Sequence, residues 1–200
     1  MAFFNNLSFE PKRQFRFLVT FTGPGLASGL KYMVTKADKP NFEQKVTTHS
    51  VLNHKFKFPG IVEWKAVNIS FIDAVDPNVG STFYASLLNA GYMKPVNEDA
   101  VASGLTKASS HRALGEVKIQ QLDGGIQSGG ALTADDLGGL VNRVAETNIV
   151  EEWTLKNAFL QKVDFGKLSY AEEGLVEVAL VVDYDYADLV VKGSPLQKSG

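Results

Sequence analysis

Apolar and polar side chains alternate with a period of two in segment after segment of this 200-residue chain. That pattern restricts it to a fold of pleated sheets, each with one buried face. The clearest case is EVALVVDYDYA, residues 177–187. Val178, Leu180, Val182, Tyr184 and Tyr186 fall on one side of such a strand, and Glu177, Ala179, Val181, Asp183 and Asp185 on the other. One side is apolar or aromatic, so it needs a core. The other carries three carboxylates, so it faces water or another polar environment.

The same alternation predicts strands at 15–22, 30–35, 42–47, 55–58, 61–72, 116–122, 149–155, 159–163, 167–170 and 175–186. In the first, Phe15, Phe17, Val19 and Phe21 share a face, and Gly23-Pro24-Gly25 ends it. Pro59-Gly60 is expected to force a turn. In 61–72, Val67, Ile69 and Phe71 share a face and Trp64 lies opposite. The period changes at 78–93, where Asn78 is an N-cap candidate and Val79, Phe83, Leu87 and Ala90 form a helical stripe beside Tyr84, Leu88 and Tyr92. Residues 95–115 are polar and carry no clear pattern. A long connection at about 123–147 holds three glycine pairs, with Thr133 to Asp136 placed to cap a short helix. The expectation is about eight strands and one clear helix. This is a mainly β chain, a β-barrel or β-sandwich with one flanking α-helix and a long Gly-rich insertion. One domain would span 1–191, followed by a disordered tail at 192–200.

Composition narrows function. Hydrophobic residues make up 44% and charged residues 21%, which is ordinary for a globular chain with a real core. The net charge of -2 argues against tight wrapping of nucleic acid. With no cysteine there is neither disulfide nor thiol chemistry. The first residues lack the pattern of a signal peptide, and no apolar run is long enough to span a membrane. The glycine-rich pieces match neither the dinucleotide fingerprint nor a phosphate-binding loop. His49, His54 and His111 make no close metal spacing, and periodicity alone does not bring His49 to His54. Glu151 and Glu152 are adjacent, so in a strand they point to opposite faces. Catalysis, cofactors and metals are therefore not expected. What remains is a β-rich chain whose strand edges need partners.

The order of elements resembles the tail tube proteins of contractile bacteriophage tails. The stretches that carry it are FRFLVTFT, LKYMVTKADKPNFEQ, the basic hairpin HSVLNHKFKFPGIVEW, WKAVNISFID and TFYASLLNAGY. They are followed by EVKIQQLD, EEWTLKNAFLQKVDFGKLSY and EEGLVEVALVVDYDYADL. The likeness covers about residues 12–190 and is most specific in the last block. The insertion at about 123–147 departs from the family pattern, in which a short turn joins those strands.

The resemblance implies a structural virion protein, not an enzyme. Six protomers would form a ring whose inner sheets join into one barrel, and rings would stack into a hollow tube. Its partners would be further copies, a contractile sheath protein, a tape measure protein, a baseplate tube initiator and a tail terminator. DNA would pass through without sequence-specific binding or membrane anchoring. Assembly would occur in the host cytoplasm and the product would reside in the virion tail. Within that frame Glu177, Asp183 and Asp185 are candidates for the lumen face, because like charge keeps phosphates moving. His49, Asn53, His54, Lys55 and Lys57 are candidates for ring stacking, and the insertion for the exterior or the sheath contact. The tube fold is shared with type VI secretion and extracellular injection particles, so a DNA-free particle stays open. So do a baseplate initiator and, from a different class, a monomeric small-molecule-binding β-barrel.

Overall fold

The structure, a computed structural model, describes residues 12–26, 30–94, 104–122, 149–171, 173–191 and 194–195. The insertion at 123–147 lies outside them. Among these residues the chain forms two sheets that enclose one core, with a long hairpin and two helices attached.

The first sheet contains β1 (Phe17–Phe21), β6 (Val117–Leu122), β7 (Ile149–Lys156), β10 (Tyr186–Val191) and β11 (Ser194–Pro195), in the order β1-β6-β7-β10-β11. The two residues of β11 fall in the tail expected to be disordered. The second sheet contains β2 (Val34–Ala37), β5 (Val67–Ile72), β8 (Phe159–Asp164) and β9 (Glu177–Asp183), in the order β2-β5-β9-β8. Each pairing is antiparallel. Alternation sets the register: Val67, Ile69 and Phe71 stand opposite Val182, Leu180 and Val178, and all six are buried. Val19, Phe21, Val117, Ile119 and Leu155 close the core from the first sheet.

Two expected strands are each split between sheets. The run 61–72 breaks at Ala66. Its first part belongs to β4 (His54–Lys65), the return strand of a hairpin with β3 (Asn41–Val51), and its second part is β5. The run 175–186 breaks at Tyr184-Asp185, where the chain leaves β9 in one sheet and enters β10 in the other. Val178, Leu180, Val182 and Tyr184 are buried as expected, but Tyr186 lies beyond the corner and is half exposed. A strand that changes sheets keeps its period while exchanging its environment.

Other expectations are corrected locally. Residues 30–35 begin with a 3-10 turn at Leu30–Tyr32 instead of a strand, and 167–170 forms no strand. Pro59-Gly60 does not turn the chain. Gly60 and Ile61 together oppose Lys45 in a β-bulge, so β4 runs on through the proline. Both hairpin strands are edges, which tolerate a missing donor. A Cβ at Gly60 would lie 2.8 Å from the Lys45 carbonyl oxygen, which accounts for the glycine.

The expected helix is α1 (Val79–Asn89), with Asn78 as N-cap accepting from the Ser81 N–H at 2.6 Å. Asp73 Oδ1 accepts from the Val79 N–H at 2.9 Å, a second cap from outside the helix. The buried stripe is Val79, Phe83, Ser86 and Ala90, with Ser86 in the place expected for Leu87, which is exposed. The serine is tolerated because its hydroxyl donates to the Ala113 carbonyl of a second helix, at 3.3 Å. That helix, α2 (Lys107–Leu114), lies in the stretch that carried no clear pattern, so two helices flank the sheets instead of one. It is short and polar, and is set by its ends. Thr106 and Ser109 form a capping box, and Gly115 at φ 72 turns the chain into β6.

Phe83 reaches between the sheets. Its ring lies 5.9 Å from Phe21 and 5.4 Å from Phe71, and those two lie 6.0 Å apart. Phe83→Ala should therefore destabilise the chain by about 3–5 kcal/mol, while Leu87→Ala should cost about 1 kcal/mol or less. Urea unfolding of both variants checks this. Equal losses would mean that the buried stripe has been misassigned.

Candidate assembly interface

The β3–β4 hairpin is a two-stranded ribbon whose residues are exposed from Asn41 to Glu63. Twelve residues in β4 give it a length of roughly 36–40 Å. It exposes large apolar side chains along that length: Phe42 61%, Val46 58%, Phe56 47%, Phe58 55% and Ile61 78%. Only its base is covered, where Trp64 packs on Tyr184 at 6.0 Å and on Phe42 at 5.4 Å. An isolated ribbon is marginal in water, and a long apolar edge invites pairing.

Register separates the stacking candidates. His49 pairs with Phe56 and Val51 with His54, so both histidines share one face of the ribbon with Phe56 and Phe58. The hairpin thus makes diagonal neighbours of two residues that periodicity along a single strand would keep apart. The His54 ring meets Phe56 edge-on at 4.9 Å. Lys55 and Lys57 lie on the opposite face, and Asn53 lies in the turn. All five are exposed. Beside Asn53 stands Leu52, 98% exposed and at φ 53. Chain alternation offered no signal for Leu52, because a turn residue has no face.

The acidic candidates divide. Glu177 and Asp183 share the solvent side of β9 with Ala179 and Val181. Asp164 of β8, opposite Ala179, joins them together with Lys162, opposite Val181, whose ammonium lies 3.7 Å from the Asp164 carboxylate. A bulge between Leu160 and Lys162 shifts its register, which hides it from simple alternation. Asp185 is elsewhere. It sits past the end of β9, where Lys107 of α2 donates to both its oxygens at 2.5 and 2.6 Å and Asn157 donates at 2.7 Å. Lys107 first, then Asn157, hold its carboxyl below the usual range. Its charge is compensated locally.

A third feature is Glu151, only 7% exposed on the inward side of β7. Lys12 and Lys39 both donate to its carboxylate, the latter at 2.9 Å, and the Trp153 indole N–H donates at 2.5 Å. Glu152 points the other way, to Lys118 at 3.2 Å and Gln120 at 2.6 Å, as expected for adjacent strand residues. Beside Glu151 lies a groove of about 480 Å³ between β1 and β2. Phe17, Ile119, Trp153, Gln14, Lys36 and Lys39 are among the residues that line it. Both flanking strands are edges of their sheets.

No family model matches the chain, and no curated protein matches it. Solved structures do. A chain of the anti-feeding prophage baseplate, solved with 6-fold symmetrisation, superposes with a TM-score of 0.59 at 13% identity, over 92% of this chain and 97% of that one. A chain of the same particle's tube-terminating cap gives 0.55 at 15%, over 96% and 99%. One from the sheath–tube complex of an extracellular contractile injection system gives 0.50 at 15%, over 90% and 92%. The chain has the contractile-injection tube fold. Because identity is so low, what the tube fold shares here is the strand arrangement, not a set of side chains. Among the described residues no cluster of His, Asp and Glu is arranged to hold a metal, and no helix is long and apolar enough to cross a membrane.

Glu151 generates a pH dependence. Burial alone would raise its pKa, but the two lysines and the indole outweigh that and pull it down to about 2. A lowered folded-state pKa means stability that is present above about 4.5, the unfolded value, and is lost as pH falls towards 2. Urea unfolding should show the native chain weakening across pH 4.5–2, with a shallower loss over that window in Glu151→Gln. An identical slope in both would remove Glu151 from this role.

Proposed function

We propose that this chain is a non-enzymatic structural subunit that assembles with copies of itself into the inner tube of a contractile particle. The observation that carries this is an uncovered apolar ribbon projecting from a chain with the tube fold. The four-stranded sheet supports it. Its edges, β2 and β8, are both unpaired among the described residues, so β8 of one copy can pair with β2 of the next. Six copies, the number that the resemblance implies, would supply twenty-four strands. At about 4.8 Å spacing and about 40° tilt these close a barrel roughly 50 Å across at the backbone. Sheath, tape measure, initiator and terminator proteins are the partners that such a tube would need.

In that barrel the solvent side of β9 is the lumen face. Asn68, Ser70 and Ala179 give it a short, uncharged floor flanked by Lys36 and Lys162, and Glu177 and Asp183 give it an acidic fringe that repels phosphates, while Asp164 is paired with Lys162. Asp185 adds little to this, since Lys107 neutralises it. Ribbon residues 49–58 reach the adjacent ring. The likeness to a tube-terminating cap favours a second reading, in which the chain closes the tube instead of building it.

Negative-stain microscopy of the purified chain, with its solution mass, separates these possibilities. Stacked rings or long hollow tubes support the tube subunit. Single rings that never stack favour the cap. A monomer at high concentration that binds a small apolar ligand would replace both with a barrel carrier. Deleting 49–58 should leave rings or monomers, and normal tubes after that deletion would contradict the stacking role. Changing Glu177 and Asp183 together to lysine should leave assembly intact and make tubes retain duplex DNA in low salt, measured by co-sedimentation. Equal retention by native tubes would place that face elsewhere.

A further inference from the structure

Lys167, Leu168, Ser169 and Tyr170 alternate as a strand does, yet these residues form no strand. Leu168 is 89% exposed and Tyr170 fully so. The run follows β8 with only Phe165 and Gly166 between, and β8 is an edge of the four-stranded sheet. An alternating run left open beyond an edge strand is a strand without its partner.

Barrel closure decides which partner reaches it. Within one chain Lys36, Ser70, Ala179 and Asp164 stand in one row across β2, β5, β9 and β8. β5 and β8 run the same way, because each is antiparallel to β9 between them. Around a closed barrel of tilted strands such a row does not return to its start. With six copies at about 40° it slips by about four residues per copy. Strand twist is right-handed, and so is the connection between parallel strands of one sheet. Together these two hands carry the slip past Asp164, and β2 of the next copy comes level with residues 167–170.

Gly166, at φ 83, sets the face of the run. A glycine in that conformation bulges a strand and adds one residue to it. In a strand continued past it, Leu168 and Tyr170 fall on the core side with Val163, and Lys167 and Ser169 on the channel side with Lys162. On the core side of β2 lies the groove lined by Phe17, Ile119 and Trp153, and by Thr35 and Ala37 of β2 itself. Resting on the tube reading above, we propose that residues 167–170 of one copy continue β8 as a strand on the free edge of β2 in the next copy, where Leu168 and Tyr170 close the β1–β2 groove. β8 meets β2 of its neighbour through this continuation. The added strand exists only in the assembly, because its ladder partner belongs to another chain.

The chain has no cysteine, so thiol pairing reads the register directly. Chains carrying Ser169→Cys are mixed with chains carrying Lys36→Cys under assembly conditions and mildly oxidised. Mixed 169–36 dimers are expected, and a double variant should give a ladder. A link within one chain is excluded: β2 and β8 are three strand spacings of about 4.8 Å apart, and a disulfide joins Cα atoms less than about 7 Å apart. Leu168→Ser combined with Tyr170→Ser provides the second arm. Both side chains are exposed in the single chain, so its thermal stability should not change. The concentration needed for assembly should rise on the order of tenfold or more. Assemblies without a 169–36 link, a link from Lys36→Cys to Lys162→Cys in its place, or a serine variant that assembles at the native concentration would each overturn the continuation and leave the tube subunit standing. Absence of both links and assemblies overturns the two together.

Discussion

A two-stranded β-ribbon has two faces and no core. Here it spans twenty-three residues between Asn41 and Glu63, all of them exposed and many of them apolar. Conformational order along such a length costs on the order of 1–2 kcal/mol per residue, and ladder hydrogen bonds return only part of that in water. The rest must come from surface that is not in this chain. The tube fold and the edges of β2 and β8, unpaired among the described residues, are consistent with that one deficit being met by further copies.

The body of the molecule is organised to hold the ribbon at a fixed angle. Trp64 anchors its base against Tyr184, the residue at which the chain crosses from one sheet to the other. Lys39, which leads into β3, is tied to Glu151 together with Lys12. A single buried carboxylate thus joins the approach to β1, the approach to the ribbon and the middle of β7. On the far side, Lys107 and Asn157 hold Asp185 at the same crossing point. The corner is pinned from both sides.

Much of this was legible in the order of residues. Strict alternation in 177–183 identified the buried face of β9, because a half-buried strand has only one way to satisfy both its sides. Asn78 announced α1 by cap chemistry. Where the reading failed, the cause was physical. Val67 and Trp64 share one alternating run, yet Ala66 divides a sheet strand from a ribbon strand, since periodicity is blind to which sheet a strand joins. Pro59 was expected to break a strand, but an edge ribbon with a bulge at Gly60 absorbs it. α2 has a capping box and only two buried residues, Ala113 and Leu114, too few to print a helical period. Glu151 carries no pattern at all. Its role arises from Lys12 and Lys39, which only the fold brings together.

The most direct measurement is electron cryo-microscopy of the assembled chain at a resolution that separates strands. The account requires a closed ring in which β8 of each copy lies one strand spacing from β2 of its neighbour, with Glu177 and Asp183 facing the central channel and the β3–β4 ribbon wholly covered by other copies. An assembly in which the four-stranded sheet faces outward, or in which the ribbon stays bare, would contradict it.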